Sequence, residues 1–464
     1  MGSNNHFRNK RLLKFALGLG LAALPWQGFG QCIVKQGTPV RHGNASWTET
    51  YEWTAPAREG GKLILRADMG TVEITPGAGN QLEGRLVLRA FTGSEERARR
   101  VFDSYHLSAR SIEGGGVYVT AELAGSRRHG YSAGAEFAIK IPARFNLDVE
   151  TQGGDIGVEG ALQGEARLTT GGGDIHTMDI GGPVRVETAG GNISLGNLGA
   201  RAEVRTAGGS IHVGNVRGDT AIETSGGEIQ VGQADGTLRA ETSGGDIVIA
   251  GGAGQVTAST AGGQIQVGPT GSSVRAETSG GSIRLQGARG RVVADTAGGS
   301  IDLLQLAAGV RANTSAGRIL AEFEASAKTF AASELETSMG DVYVYLPAGL
   351  PLTIDAAIDA AAGHHIVTDF PISILGEKED LSERTIRGNG TLNGGGEVLR
   401  IRTVAGNIEI RKLDSRSLED LKSREETTWS RWQERQAERN QREREREQER
   451  REREREREEE RDQD

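Results

Sequence analysis

The sequence predicts an all-β chain, a β-solenoid built from coils of about 18 residues, and three observations carry that prediction. The first is a phrase, Thr-(Ala/Ser)-Gly-Gly-x-Ile, that recurs between about residues 151 and 320. The second is its period. Ile175, Ile193, Ile211, Ile229, Ile247, Ile265, Ile283, Ile301 and Ile319 fall 18 residues apart every time, and only the first step, from Ile156, is 19. A fixed period of this size is the mark of a repeat architecture. The third is the spacing inside one unit, where apolar and Thr positions lie two apart, as on one face of a strand.

Ile229 serves as the reference unit. Val231 follows by two, and Thr224, Ile222 and Thr220 precede by five, seven and nine. Each unit therefore holds two short strands, here 220–224 and 228–231, with Gly226-Gly227 between them and a second break near 232–236. Eighteen residues bury no core alone, but stacked coils make a continuous one. At about 4.8 Å per coil, ten coils make a rod of roughly 45–50 Å. The Gly pairs are expected to supply positive φ at the corners. The inward Thr column (Thr224, Thr242, Thr260, Thr278, Thr296) is expected to bond along the stack. A helix is excluded, because Gly-Gly in every unit would cost about 2 kcal/mol relative to Ala-Ala.

The elements follow in order. Residues 1–30 read as a secretory signal: Arg8, Lys10, Arg11 and Lys14 precede an apolar run, Phe15 to Leu24, with a small-x-small site at Gly28-Phe29-Gly30. The apolar run is too short to span a bilayer. Cleavage there removes four positive charges from a net charge of −9, leaving the mature chain near −13. Cys32 is the single cysteine, which excludes an internal disulfide framework and a Cys-based zinc cluster. Lipidation of Cys32 is disfavoured, because Gln31 stands where a lipobox wants a small residue.

Residues 31–148 read as a strand-rich N-terminal cap. Alternation at 62–67, 70–75, 82–90, 117–123, 135–141 and 146–151 predicts strands. Ser94 reads as a helix N-cap, with Glu95-Glu96 in the first turn and Ala98, Val101 and Phe102 on one face. The repeat solenoid occupies 149–320. Residues 321–413 read as irregular terminal coils and a cap, with strands at 341–346, 352–356 and 397–403, and 405–410 restating the phrase. Residues 414–464 form an Arg/Glu-rich tail. Leu418, Leu421, Trp429 and Trp432 lie on a helical stripe, and the tail is expected to be a solvated helix or disordered.

This order of parts resembles the DUF4097 family, whose bacterial members are named putative adhesins. The residues that carry the resemblance are Gly70-Thr-Val-Glu-Ile74, the helix at 95–102, Ile141-Pro142, Asp148-Val-Glu-Thr151, the Gly-Gly-Asp-Ile runs, Gly340-Asp-Val-Tyr-Val344, Leu346-Pro347 and Ala405-Gly-Asn-Ile408. It covers about 60–413. It implies a β-solenoid in the cell envelope and brings no catalytic residues. The tail lies outside the pattern.

Candidate chemistry is sparse. The outward position six before each Ile reads Glu150, Thr169, Glu187, Arg205, Glu223, Glu241, Ser259, Glu277, Asp295 and Asn313; Glu187, Glu223, Glu241, Glu277 and Asp295 are the candidate partner surface, and stacking puts Glu223 beside Glu241 and Glu277 beside Asp295 at about 5 Å. That column is either a screened, solvated face or a surface for a cation or basic partner. A calcium roll is excluded, since Ile occupies the place of its third Gly. His176 and His212 are outward and two coils apart, roughly 10 Å, too far to share a metal, and read as solvated. His364-His365 lacks evident partner ligands. Ser225, Ser243 and Ser279 belong to the repeat, and no nucleophile elbow or phosphate loop is present. No catalytic residue, cofactor or metal is expected. No basic domain stands out, which argues against nucleic acid, and no later stretch is long and apolar enough to cross a membrane. The expected role is non-enzymatic: an exported surface for adhesion, binding or scaffolding in the periplasm, at the outer membrane or on the cell surface. Its partner would be an envelope protein or a surface glycan. The alternatives are a polysaccharide-acting β-helix enzyme using a carboxylate pair of the column, and a periplasmic assembly scaffold with the tail as docking arm.

Overall fold

The computed structural model describes residues 34–43, 46–123, 133–324, 330–361, 363–376 and 385–413. The expected signal segment, Cys32 and the tail lie outside the described residues. Within them the chain is a solenoid. Each unit gives one strand to each of two parallel sheets, in register with its neighbours: Thr220–Thr224 in a long-strand sheet and Ile229–Gln233 in a short-strand sheet, for example. Ile211, Ile229, Ile247 and Ile265 are successive partners across the short-strand sheet. Every one of these isoleucines is fully buried.

The second break of each unit hides a third side. Leu162, Ile180, Leu198, Val216 and Ala234 form a column of single parallel bridges, and Gly252, Thr270, Ala288 and Leu306 continue the pattern. The coil is therefore three-sided. One bridging residue is too short a signal for alternation to reveal.

The Thr column is a clamp between rungs. Thr260 Oγ1 donates to Gly245 O of the preceding rung at 2.9 Å and accepts from the Gly263 amide of its own corner at 3.2 Å. Thr188, Thr206, Thr224, Thr242, Thr278, Thr296 and Thr314 repeat the bond to a Gly carbonyl at 2.8–2.9 Å. The hydroxyls do bond along the stack, but to backbone rather than to one another. That satisfies a buried carbonyl which the turn leaves without a ladder partner.

The structure corrects the expectation that the Gly pairs supply positive φ. Among the second glycines of the pairs and their end-rung counterparts, only Gly70, Gly154 and Gly340 have φ between +110° and +152°. In the regular rungs the reason for glycine is close approach. A Cβ on Gly263 would stand 2.7 Å from the Asp246 nitrogen and closer still to the Gly245 carbonyl. The first glycine is less restricted. A Cβ on Gly262 would meet nothing nearer than Gly244 O at 3.5 Å. The chain uses this freedom: Ala316, Met339 and Ala405 stand at the first position, whereas Gly317, Gly340 and Gly406 hold the second.

Both ends depart from chain order. The strands Lys62–Ala67 and Thr71–Gly77 form a rung parallel to Asn146–Thr151 and Ile156–Val158. On its other side lie Gly116–Leu123 and Ala133–Pro142, which come later in sequence. The far end does the same. Val398–Ala405 and Ile408–Lys412 sit between the rung of Ser333–Met339 and Val342–Leu346 and the rung of Leu352–Ile358 and Ile366–Thr368. Residues 62–77 and 398–412 are thus rungs of the stack as well as parts of its end regions.

Antiparallel strands cover the exposed edges. Tyr105–Ile112 closes the long-strand sheet at the N-terminal end. Gln81–Ala90 and Ser46–Pro56 close the short-strand sheet, and Ile386–Leu392 with Ser373–Gly376 closes the far end. Such covers blunt edges that would otherwise recruit further strands. The helix Glu95–Asp103 packs Ala98, Val101 and Phe102 inward as expected, although Ser94 makes no side-chain cap bond. Of the 19 described strands in the short-strand sheet, Lys35–Gln36, Val40–His42, Ser46–Pro56 and Gln81–Ala90 are caps. The rest make fifteen rungs, a rod of roughly 70 Å rather than the 45–50 Å expected from ten.

Candidate functional site

The predicted column lies on the outer face of the long-strand sheet. Glu187, Arg205, Glu223, Glu241, Ser259, Glu277, Asp295 and Asn313 are successive partners across it. The two like-charged neighbours, Glu223–Glu241 and Glu277–Asp295, stand where the spacing put them. A second column, two residues earlier in each strand, changes their electrostatics. It holds Arg185, Glu203, Ala221, Arg239, Thr257, Arg275, Val293 and Arg311.

The two columns pair. Arg185 lies 3.9 Å from Glu187 in its own strand and 2.9 Å from Glu203 one rung on. Arg205 joins Glu203 at 2.9 Å and Glu223 at 3.4 Å. Arg239 pairs with Glu241, and Arg275 with Glu277. The face is a charge ladder rather than an acidic strip, and exposed pairs of this kind each contribute about 1 kcal/mol or less. The signal was legible in the sequence. Arg-x-Glu at 185–187, 239–241 and 275–277 puts opposite charges on one face of a strand, and the inverted Glu203-Val-Arg205 links the rungs on either side.

Asp295 is the exception. Val293 stands where its arginine would be, and among the described residues no cation lies within ion-pair distance. Burial raises its carboxyl above the ordinary range; Arg311 opposes this, Glu277 adds to it, and Arg275 opposes it. An open depression of about 350 Å³ runs over Ser259, Glu277, Ser279, Asp295 and Ser315. All five predicted residues thus lie on one face, but they are not equivalent: four are arginine-paired and one is not.

The other candidates resolve into structure. His176 is not simply solvated: its Nε2 lies 2.9 Å from Glu159 Oε1, and its ring covers Gly157. Ser194 does stand between His176 and His212 in the register. Corner acids accept backbone amides of the next rung, Asp155 from Asp174 at 2.8 Å, Asp174 from Asn192 at 2.7 Å and Asp246 from Gln264 at 2.8 Å. Asp179, Asn197 and Asn215 make a similar ladder at another corner. These carboxylates are therefore committed to the stack. Asn407 Oδ1 accepts the His365 amide at 3.2 Å. Among the described residues no group of three or more His, Cys, Asp or Glu is placed to hold a metal, and no helix is long and apolar enough to cross a membrane.

Residues 129–267, under a third of the chain, match the family model described as Toastrack DUF4097. No curated protein matches. Two solved structures align. One is a putative adhesin from Bacteroides fragilis, 14% identical, covering 52% of this chain and 95% of its own, with a TM-score of 0.25. The other is a putative cell adhesion protein from Clostridium sporogenes, 10% identical, covering 78% of this chain and 99% of its own, with a TM-score of 0.15. Neither superposition is close enough to carry a functional argument.

Proposed function

We propose, starting from a Toastrack DUF4097 solenoid, that this chain is a non-enzymatic binding scaffold exported to the bacterial envelope. Its working surface is the outer face of the long-strand sheet, and its partner is an envelope protein or a surface glycan. The observation that supports this reading is the ladder itself. Arg–Glu pairs recur at whole-rung intervals along this face, at 185/187, 203/205, 239/241 and 275/277, above the Thr clamps, and together they offer several weak, similar contacts. A ligand with its own repeat gains avidity from such an array without any deep pocket.

The test joins location to attachment. Tagged protein is digested by protease in intact and in lysed cells, and attachment of expressing cells to a glycan-coated surface is scored. Cleavage in intact cells, with attachment lost in a Glu223→Lys/Glu241→Lys variant of equal abundance, supports the reading. Protection until lysis removes adhesion and leaves the periplasmic scaffold. Equal attachment by wild type and variant removes this face as the surface.

A second reading rests on Glu277 and Asp295. Two neighbouring carboxylates with one raised pKa is the pattern of acid–base hydrolysis of glycosidic bonds. Products released from a polysaccharide panel by the wild type and not by Asp295→Asn would establish an enzyme, and no products would dispose of it.

A further inference from the structure

The two ends of the rod are finished differently. At the N-terminal end the helix Glu95–Asp103 buries Ala98, Val101 and Phe102. The long-strand sheet stops there at Tyr105–Ile112, which exposes His106 and Arg110, and Arg110 lies 4.8 Å over the Tyr118 ring. The short-strand sheet stops at Lys35–Gln36 and Val40–His42, pieces of two and three residues on the edge of Ser46–Pro56. Short or charged edge strands guard a sheet against further pairing.

At the C-terminal end the short-strand sheet is guarded in the same way. It stops at the three residues Ile366–Thr368, and Asp369 follows, 3.2 Å from Arg411. The long-strand sheet is not guarded. It stops at Ser373–Gly376, a strand without charge or proline, exposed at every residue. Ile386–Leu392 pairs with one of its edges, and among the described residues no strand pairs with the other. Ile374 is 46% and Leu375 67% exposed, and they are the only large exposed hydrophobics among the described residues that adjoin in sequence. Ile374 is also the open end of a core row. Leu335, Ile401, Ala356, Gly388 and Ile374 are successive partners across the sheet. The first three are fully buried, and the row runs out into solvent at Ile374.

We propose that Ser373–Gly376 joins two copies of this chain end to end, each copy adding its strand to the other's sheet. A two-fold axis at Ile374 sets the strand antiparallel to its copy, with Ile374 opposite Ile374 and Ser373 opposite Leu375. Inward face then continues inward face. The interrupted core row passes from one rod into the other, and the backbone groups left over at the edge find partners. A strand without charge offers a foreign peptide little beyond its backbone, whereas its own copy also supplies the missing row. The contact is isologous, so it closes at two. Joining unlike ends would need an unguarded edge at the N-terminal end, and the described residues provide none. Four residues make a contact below the size of permanent dimers, so association depends on concentration. The pairing uses the end of the rod and not the ladder, so it stands whatever the ladder binds.

Light scattering after size exclusion, on the full chain over a wide concentration range, is expected to show a mass rising toward twice that of the chain and no further. Leu375→Lys changes a largely exposed side chain and should weaken the dimer at least about tenfold. Cysteine pairing reads the register, in the chain carrying Cys32→Ser. Ile374→Cys sets two thiols directly opposite, with Cβ atoms about 5 Å apart. On mild oxidation it should give a linked dimer at least about tenfold faster than Met178→Cys, a similarly exposed position at mid-rod. A single-chain mass at every concentration overturns the proposal, as does equal linking at positions 374 and 178. So does a dimer that Leu375→Lys leaves unchanged, and so does a mass that keeps growing, which would mean that unlike ends join. If Leu375→Lys loses the far-UV circular dichroism of the rungs, the cysteine comparison decides.

Discussion

Changing one glycine of a corner pair and then the other should give opposite results. In Gly263→Ala the new methyl would stand 2.7 Å from the Asp246 nitrogen and closer to the Gly245 carbonyl. Both are backbone atoms of the preceding rung, so no side chain can swing aside. Relief requires the rungs to part at that corner, in a stack held at about 4.8 Å. Parting strains the bond from Thr260 Oγ1 to Gly245 O and the bond from the Gly263 amide to Thr260 Oγ1. Overpacking costs about 1–3 kcal/mol, and a buried carbonyl left without its donor adds about 1–3 kcal/mol. The expected loss is therefore about 2–6 kcal/mol. In Gly262→Ala the methyl meets Gly244 O at 3.5 Å, an ordinary contact. With the unfolded chain stiffened, the expected change is about zero to a gain of 1 kcal/mol. Urea denaturation followed by far-UV circular dichroism measures both, with hydrogen exchange of the position-263 amide as a local readout, since rungs of a solenoid open semi-independently. Equal losses at 262 and 263 would refute the close-approach account and restore a conformational one. A Gly263→Ala chain within about 0.5 kcal/mol of wild type would refute it outright.

Further predictions follow from the clamp and the ladder. Thr260→Val should cost about 1–3 kcal/mol and speed exchange at the Gly263 amide, whereas Thr260→Ser should retain most of the stability; matching melts for Val and wild type would mean the column acts by shape alone. Arg205→Ala, which cuts the links to Glu203 and Glu223, should cost about 1 kcal/mol or less in dilute buffer. That difference should vanish near 1 M salt, and its persistence there would contradict a screened surface pair. Asp295 has a carboxyl raised on folding, so the folded state holds its proton more tightly and stability falls as pH rises from the ordinary carboxylate range through the raised value. Asp295→Asn should therefore raise Tm at about pH 7 and make no difference near about pH 3; a lower Tm at neutral pH would invert the sign and the argument.

Most of the fold was written in the period. Ile, Thr and the alternate apolar positions repeat often enough to fix two sheets, their register and the identity of the inward residues. What escaped was whatever a one-dimensional repeat does not encode. A side of the coil with one bridging residue, such as Val216, has no alternation to detect. The place of Thr71–Gly77 inside the stack was hidden because its corner reads Ala67-Asp68-Met69-Gly70, keeping only the second glycine. The role of that glycine was misread because propensity arguments consider a residue's own φ, whereas here the neighbour's carbonyl decides. For the site, the Glu column was legible and its arginines equally so. Reading the column at one position, rather than at two positions in the same strand, showed its like-charged neighbours and left out the arginines that pair with them. The singularity of Asp295 depends on Val293, a substitution in the partner column, and no local motif announces it.

The out-of-order end rungs have a mechanical consequence. In a solenoid wound in simple sequence order, the terminal coil has a neighbour on one side only, and a pull on the chain end peels coils away one at a time. Here the chain leaves the stack at Lys412, from a rung gripped on both faces by Val342–Leu346 and Ile366–Thr368. The first rung, 62–77, is gripped likewise between later segments. Tension on the tail therefore loads two interfaces together instead of opening one. Each end is bolted through its neighbour, and a rod anchored by either terminus would bear force before its repeats begin to unwind.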